Sequence, residues 1–199
     1  MRILFVILTL LVTGAGAATA QVAVRGGTVH TMAGDPISDG VVVVTEGRIV
    51  AVGPAADVSI PEGYRVLEAA VVTPGLIDAH ATAGLSGIYN VPHDQDQVDA
   101  TALIQPGLRA VDAYNSFEQL VGWVRSFGVT TMHTGHGPGM PLSGQTMVVK
   151  TAEKPVDEVV VDEAAAVAVT LTPTSARLFG STPKTTRAKT IAMLRQDLI

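Results

Sequence analysis

One histidine stands where a strand would present it for chemistry. The stretch from Val71 to Gly87 reads VVTPGLIDAHATAGLSG. Its mostly apolar run from Leu76 to Ala79 predicts a strand buried on both faces. His80 ends that run, and Thr82 follows two residues later. Residues two apart on a strand point to the same side, so a pair of metal ligands on one face would occupy these two positions.

The chemistry available there depends on the second residue of the pair. Two imidazoles at such a strand end could hold zinc, which lowers the pKa of its bound water to about 7 and polarises a carbonyl group. Here a threonine stands in the second place, and a neutral hydroxyl is a far poorer zinc ligand than an imidazole. His80 therefore has two open interpretations, a metal ligand or a hydrogen-bonded structural residue. Asp78 is interpreted as a structural hydrogen-bonding residue.

The other polar clusters are interpreted as parts of the scaffold. His133 and His136 have H-x-x-H spacing, but across a strand-to-loop transition that spacing does not bring two imidazoles together, and we predict surface histidines. The cluster His93–Asp96 lacks the spacing of a calcium loop and is predicted to be solvated. His30 is predicted to be structural. The glycine-rich run after His133 is not followed by Lys-Ser/Thr, which argues against a phosphate loop.

Two kinds of elements are expected to position His80. Residues 22–73 contain short β-branched runs, with a tight hairpin turn predicted at Glu46-Gly47, and indicate a small antiparallel β-module. Ser116 to Gln119 resembles a capping box, and apolar residues at helical spacing predict a helix that stops at Gly128. A strand from Val129 to His133 follows. Strand, loop, helix and strand in this order predict parallel pairing.

Composition excludes several classes of function. The chain has 199 residues, a net charge of −5 and no cysteine, which rules out thiol nucleophiles and cysteine-based zinc sites. No cluster of Lys and Arg is present in the sequence, which argues against nucleic acid as a partner. Aromatic residues make up only 4% of the chain, which predicts a core of small aliphatic residues.

The two ends of the chain carry their own signals. Residues 1–20 have a basic Arg2, an apolar stretch and a small-x-small ending at Ala20, the pattern of a signal peptide cleaved after that residue. The apolar stretch is shorter than the roughly 20 residues of a membrane span, so we expect an exported protein, periplasmic or secreted, without a stable span. The tail from Thr185 is predicted to be an amphipathic helix that ends at Ile199 without a stop signal, which indicates a chain that is cut.

The string TPGLIDAH at Thr73 to His80, followed by GVTTM and by LSGQ at Leu142 to Gln145, resembles the amidohydrolase superfamily, in particular its imidazolonepropionase-like members. The resemblance implies an α/β protein: a (β/α)8 barrel preceded by a small β-sandwich. We therefore predict a signal peptide at 1–20, a β-sandwich module at 21–73 and the N-terminal part of a barrel at 74–199. A complete barrel takes about 250 residues.

The same resemblance implies a function. Members of the superfamily hydrolyse carbon–nitrogen bonds other than peptide bonds, typically in small cyclic amides or amidines, with zinc or a similar divalent metal. By resemblance, His80 is a metal ligand and Thr82 lies beside the metal or its water. The family pattern has a second histidine where this chain has Thr82. The alternative expectation is an exported binding or scaffold protein that kept the fold and lost the metal site.

Overall fold

The computed structural model describes residues 21–171 and 186–198. These residues form two compact units, one ending at Pro74 and the other beginning at Gly75. The predicted signal peptide lies outside the described residues. Within the described ranges, no helix has the length and apolar character needed to cross a membrane.

The first unit is one four-stranded sheet. Its strands are β1 (Val22–Val29), β2 (Ile37–Thr45), β3 (Arg48–Pro54) and β4 (Arg65–Val72), in the spatial order β3-β2-β1-β4. The tight turn predicted at Glu46-Gly47 is confirmed. The φ angles there are 50° and 73°, the pair of left-handed conformations that a two-residue hairpin turn requires.

The strand directions correct one expectation for this unit. β1 pairs antiparallel with β2, but it pairs parallel with β4, so the predicted purely antiparallel module is a mixed sheet. Alternate side chains of β1 and β2, such as Ala23, Val29, Val41 and Val43, are buried. The described residues of this unit form a single sheet, and the second layer of the predicted sandwich is not among them.

In its described residues, the second unit contains a four-stranded sheet and three helices. The strands, in spatial order, are β5 (Leu76–Ala81), β6 (Val129–Thr134), β7 (Leu142–Lys150) and β8 (Val160–Val169). The helices are α1 (Gln119–Ser126), α2 (Val156–Val159) and α3 (Arg187–Leu198), and two 3-10 turns lie between β5 and α1, at Pro92–Asp94 and Ala110–Asp112.

The predicted parallel unit is confirmed, since β5 and β6 are parallel neighbours connected through α1. β7 and β8 then continue the sheet in antiparallel directions. The described residues of this unit thus contain one parallel strand pair and no closed barrel. Helix α1 begins later than predicted. The side chain of Glu118 accepts from the backbone of Leu120 at its start, whereas Ser116 donates to the carbonyl of Lys154.

Burial of β5 differs from the prediction. Leu76 and Ile77 are 57% and 71% exposed, although their apolar run predicted a strand covered on both faces. The physical reason is position, because β5 is an edge strand of its sheet. The core of this unit lies further in, around Met132 of β6, Met147 of β7 and Val121 of α1.

Candidate functional site

The carboxyl end of β5 presents His80 to solvent. The backbone N–H of His80 donates to the carboxylate of Asp78 across 3.0 Å, which confirms the structural role predicted for that aspartate. The pairing of β5 with β6 is irregular between Asp78 and Ala81, and the strand ends at Ala81. His80 thus lies on an irregular strand end, where strict alternation of side chains is no longer imposed.

Thr82 begins the turn that follows the strand. Its carbonyl accepts from the backbone N–H groups of Leu85 and Ser86, at 3.0 and 2.8 Å. Its hydroxyl lies 2.9 Å from the hydroxyl of Ser86. Thr82 is half-buried, and its side chain holds the turn in place.

The described residues do not complete a metal centre. No group of three or more His, Asp or Glu side chains within the described ranges could hold a metal ion. A catalytic zinc site needs three protein ligands. His80 is therefore a single candidate ligand, and the residues described do not fit a bound zinc by themselves.

A second histidine ties the end of β5 to the interior of the sheet. His133, on β6, has its Nδ1 3.2 Å from the carbonyl oxygen of Ala79 and its Nε2 2.6 Å from the hydroxyl of Thr146 on β7. The carbonyl of Ala79 can only accept, so the ring donates to it through Nδ1. The hydroxyl of Thr146 that pairs with Nε2 also donates to the carbonyl of Ala166, at 3.2 Å. The ring thereby braces the peptide that precedes His80 against the central strand β7.

The third histidine corrects a prediction. His136 was expected at the surface, but it is only 6% exposed, and neither ring nitrogen has a hydrogen-bond partner among the described residues. Burial lowers the pKa of His136 below its ordinary value, so the ring is neutral near pH 7. The carbonyl groups of Gln97 and Leu108 lie beside the ring and oppose this shift, but neither completes a hydrogen bond to it.

Glycines explain how His136 is buried. A Cβ on Gly135 would collide with Thr146, and a Cβ on Gly144 would lie 2.7 Å from Nε2 of His136. The loop can therefore pack directly on β7 and enclose the imidazole between them. Glycine on both sides of His136 was the sequence signal for this close approach, and the H-x-x-H interpretation overlooked it.

The long segment between β5 and α1 is closed at its base. The backbone N–H of Asn115 donates to the carbonyl of Gly84 across 2.9 Å. The neighbouring Tyr114 is 8% exposed and packs directly over Gly84, whose φ angle is 90°. Burial raises the pKa of the Tyr114 hydroxyl to about 12, so the phenol stays neutral.

The remaining residues singled out in the sequence belong to different units. His93 and Asp94 belong to the 3-10 turn at Pro92–Asp94, and the Asp94 carboxylate accepts from the backbone of Val91 and from the side chain of Gln95. His30 lies in the first unit, where its backbone N–H donates to the carbonyl of Val72.

Comparison with known proteins finds similar sequences over part of the chain. No family model matches the chain. An imidazolonepropionase from Solibacter usitatus is 29% identical over 133 residues, which are 58% of this chain and 32% of that protein. An imidazolonepropionase from Rhizorhabdus wittichii is 27% identical over 159 residues, which are 65% of this chain and 37% of that protein.

A solved structure shares the fold. The amidohydrolase from Thermotoga maritima matches 89% of this chain and 46% of its own with a TM-score of 0.79, at 24% identity. The chain spans about a third of the length of the two imidazolonepropionases that it matches. The chain is therefore similar in sequence to parts of two imidazolonepropionases and shares its fold with an amidohydrolase.

Proposed function

We propose that the protein hydrolyses a carbon–nitrogen bond other than a peptide bond in a small cyclic amide or amidine-type substrate, with water activated by a divalent metal, zinc. The observation that carries this proposal is the similarity to parts of two imidazolonepropionases. The parallel pairing of β5 with β6 supports it, because catalytic groups of α/β folds lie at the carboxyl ends of such strands.

In this proposal His80 is a metal ligand. Its exposed position at the strand end leaves the imidazole accessible to an ion. Thr82 would lie beside the metal or its water, and the bound zinc would supply a hydroxide near neutral pH. Because the described residues offer one ligand, the proposal requires further ligands from outside them. We propose in addition that residues 1–20 direct export and are removed after Ala20.

A second candidate function is a binding or scaffold protein without a metal. The observation that favours it is the state of Thr82, since its hydroxyl is engaged with Ser86 and stabilises the turn. A threonine used in this way leaves no second strong ligand beside His80. The two candidates differ in one measurable property, which is zinc-dependent hydrolysis.

The experiment is a hydrolysis assay, supplied with zinc, on a purified protein that contains this chain together with the residues that complete its metal site. A panel of cyclic amides, cyclic ureas and cyclic amidines is incubated with the wild type, with His80→Ala and with His93→Ala, and ring opening is followed by absorbance. We expect hydrolysis that a chelator abolishes, that His80→Ala abolishes, and that His93→Ala leaves intact because His93 is an exposed histidine outside the proposed site. Absence of hydrolysis across the panel would favour the scaffold protein. Chelator-sensitive hydrolysis that survives His80→Ala would remove His80 from the metal site.

A further inference from the structure

The peptide that joins Ala79 to His80 lies at an irregular point of β5. Between Asp78 and Ala81, β5 advances three residues while β6 advances two, so β5 carries one extra residue here. Such β-bulges bend a strand and re-aim a side chain, and they are over-represented next to active sites. The direction in which His80 leaves the strand is therefore set by this irregular peptide rather than by the pleat of a regular strand.

Both polar groups of this peptide are hydrogen-bonded to side chains. The N–H of His80 donates to the carboxylate of Asp78 across 3.0 Å. The carbonyl of Ala79 accepts from Nδ1 of His133 across 3.2 Å. Because the peptide unit is planar, bonds on its two sides hold the whole plane in one orientation. That plane ends at the Cα of His80, so its orientation sets the direction of the Cα–Cβ bond that carries the imidazole.

His133 is itself held in place by the rest of the sheet. Its Nε2 lies 2.6 Å from the hydroxyl of Thr146, and that hydroxyl donates to the carbonyl of Ala166 across 3.2 Å. These contacts run from β5 through β6 and β7 to β8, so they cross all four strands of the sheet. The ring of His80 is exposed, and its placement therefore depends on the backbone that these contacts hold.

We propose that His133 and Asp78 are positioning residues of the candidate site, which hold the peptide between Ala79 and His80 and thereby aim the imidazole of His80. This inference rests on the proposed function, because the direction of His80 matters for hydrolysis only if His80 acts in it. Functional groups must be held within about 0.5 Å of the productive geometry by residues that are themselves fixed by packing and hydrogen bonds. A misplacement of about 1 Å can lower a rate about a hundredfold.

Other roles for His133 agree less well with its contacts. Direct binding of a substrate or an ion needs a free ring nitrogen, and both nitrogens of His133 are engaged, one with Ala79 and the other with Thr146. A role in stability alone would draw on both contacts, whereas positioning of His80 depends on the bond to Ala79. Side chains that keep only one of the two bonds therefore distinguish these roles.

The test compares His133→Asn with His133→Gln. The amide nitrogen of asparagine takes the place of Nδ1 and can still donate to Ala79, whereas the longer glutamine reaches Thr146 and gives up that bond. In the 199-residue chain, hydrogen exchange of the His80 amide is followed by NMR. We expect exchange to be about fivefold faster or more in His133→Gln, because the peptide loses one of its two bonds, and to stay near the wild-type rate in His133→Asn.

The kinetic arm uses the protein that also contains the residues completing the site, with the panel of cyclic amides, ureas and amidines as substrates. We expect His133→Gln to lower kcat about tenfold to a hundredfold with little change in KM, because the imidazole of His80 is misplaced. His133→Asn should retain most of the wild-type kcat. His93→Gln, at an exposed histidine outside the site, is the matched control and should change neither kcat nor the exchange of the His80 amide.

Equal exchange of the His80 amide in the two His133 variants, or an equal loss of kcat, would overturn the proposal and leave His133 a role in stability alone. A loss confined to KM would overturn it in favour of substrate binding. If the wild type hydrolyses none of the panel, the proposed function fails, and amide exchange still decides whether His133 holds the peptide. Should the His133 variants fail to fold, Asp78→Asn keeps an oxygen that accepts from His80 and Asp78→Ala removes it, so only Asp78→Ala should speed exchange.

Discussion

The histidines at the carboxyl ends of β5 and β6 lie in opposite environments, one exposed and the other enclosed. At the end of β5, His80 is exposed on an irregular strand end, and the fold around it makes little use of its ring. Near the end of β6, His133 is held by Ala79 and Thr146, and after the strand His136 is enclosed by a glycine-rich loop. The family motif marks the first region, whereas the buried unpaired polar atoms mark the second.

This difference shows what a sequence motif and what unpaired buried atoms can each identify. A ligand that waits for a metal needs accessibility more than contacts, so the isolated position of His80 agrees with its proposed role. A buried imidazole without partners costs about 1–3 kcal/mol for each unsatisfied group, so a fold that keeps His136 buried is expected to use it. The predictions below test how far the two regions are independent.

The largest effect is expected from disrupting the packing of Tyr114 on Gly84, which closes the segment that follows β5. Gly84→Ala would place a methyl group into the ring of Tyr114, at a φ angle of 90° that side chains rarely adopt. We expect a loss of about 3 kcal/mol in the free energy of unfolding, the upper end of overpacking costs. Urea denaturation followed by circular dichroism measures it.

The matched control for that change is Gly107→Ala. Gly107 belongs to the same segment, but a Cβ there would meet no atom within 4 Å, so its unfolding midpoint should stay near that of the wild type. Equal midpoints for the two variants would show that Tyr114 does not lock the base of the segment.

A smaller effect is expected from releasing the brace between the two regions. Thr146→Val keeps the shape of the side chain but removes the hydroxyl that lies 2.6 Å from His133. We expect the free energy of unfolding to fall by about 1–2 kcal/mol because a ring nitrogen loses its partner. The exposed Thr130 on β6 gives the control, and Thr130→Val should change stability little. If both variants lost the same stability, the contact between Thr146 and His133 would not be what stabilises the sheet at this point.

The next expected effect is a pH dependence that belongs to His136. Its folded-state pKa is lowered by burial, so below about pH 6.5 the unfolded chain takes up a proton that the folded chain resists. Stability should therefore decrease as the pH falls through this window. Urea midpoints between pH 7.5 and 5 measure the slope, which His136→Gln should reduce.

Neighbouring charges and a control separate this effect from others. The charged side chains that line the same cavity as His136 are those of Asp96, Asp99, Asp112 and Arg109. The depressed pKa of Asp99 means that its own contribution is lost only at more acidic pH, below about 4. His93→Gln replaces an exposed histidine and should leave the slope unchanged. A slope that survives His136→Gln would assign the dependence to other groups.

The smallest effect is expected at the end of β5 itself. Thr82→His adds a second imidazole near His80, yet two imidazoles leave zinc short of the three ligands of a catalytic site. In the 199-residue chain we expect a gain in zinc affinity of less than about tenfold, measured by competition with a chromophoric chelator. In a protein that supplies the remaining ligands, the gain should be at least about tenfold.

Ser86→Ala is the control for Thr82→His because it breaks the same pair of hydroxyl groups without adding a ligand. A large gain within this chain would mean that a further ligand already lies close to His80. Zinc binding indifferent to both Thr82→His and His80→Ala would make His80 a structural residue.

Local patterns predicted the local structure. Two left-handed residues at Glu46-Gly47 and an amphipathic run ending at Gly128 each depend on a few neighbouring residues, and both predictions were confirmed. The parallel pairing of β5 and β6 followed from the helix between them. The parallel pairing of β1 and β4 could not be foreseen in this way, because side chains along a strand do not encode the direction of a distant partner.

Burial was less predictable than secondary structure. The apolar run at Leu76 and Ile77 indicated a covered strand, but coverage depends on which elements pack beside it, and β5 is an edge strand. His136 was predicted at the surface because polar residues in loops are usually solvated. Its burial arises from close backbone contacts that Gly135 and Gly144 permit. These contacts join the loop after β6 to β7, so they are not visible in the residues next to His136 alone.

The parallel pairing of β1 with β4 has a consequence for how the first unit folds. Each residue of β1 pairs with a partner 43 positions later, as Val22 does with Arg65. Such a contact closes a long loop, so chain entropy is lost before the strand pairing can stabilise the sheet. The hairpin of β2 and β3, by contrast, closes through only two residues. We expect the hairpin to form early and β4 to dock last. In pulsed hydrogen exchange during refolding, amide protection should therefore arise at Val42 before it arises at Leu67.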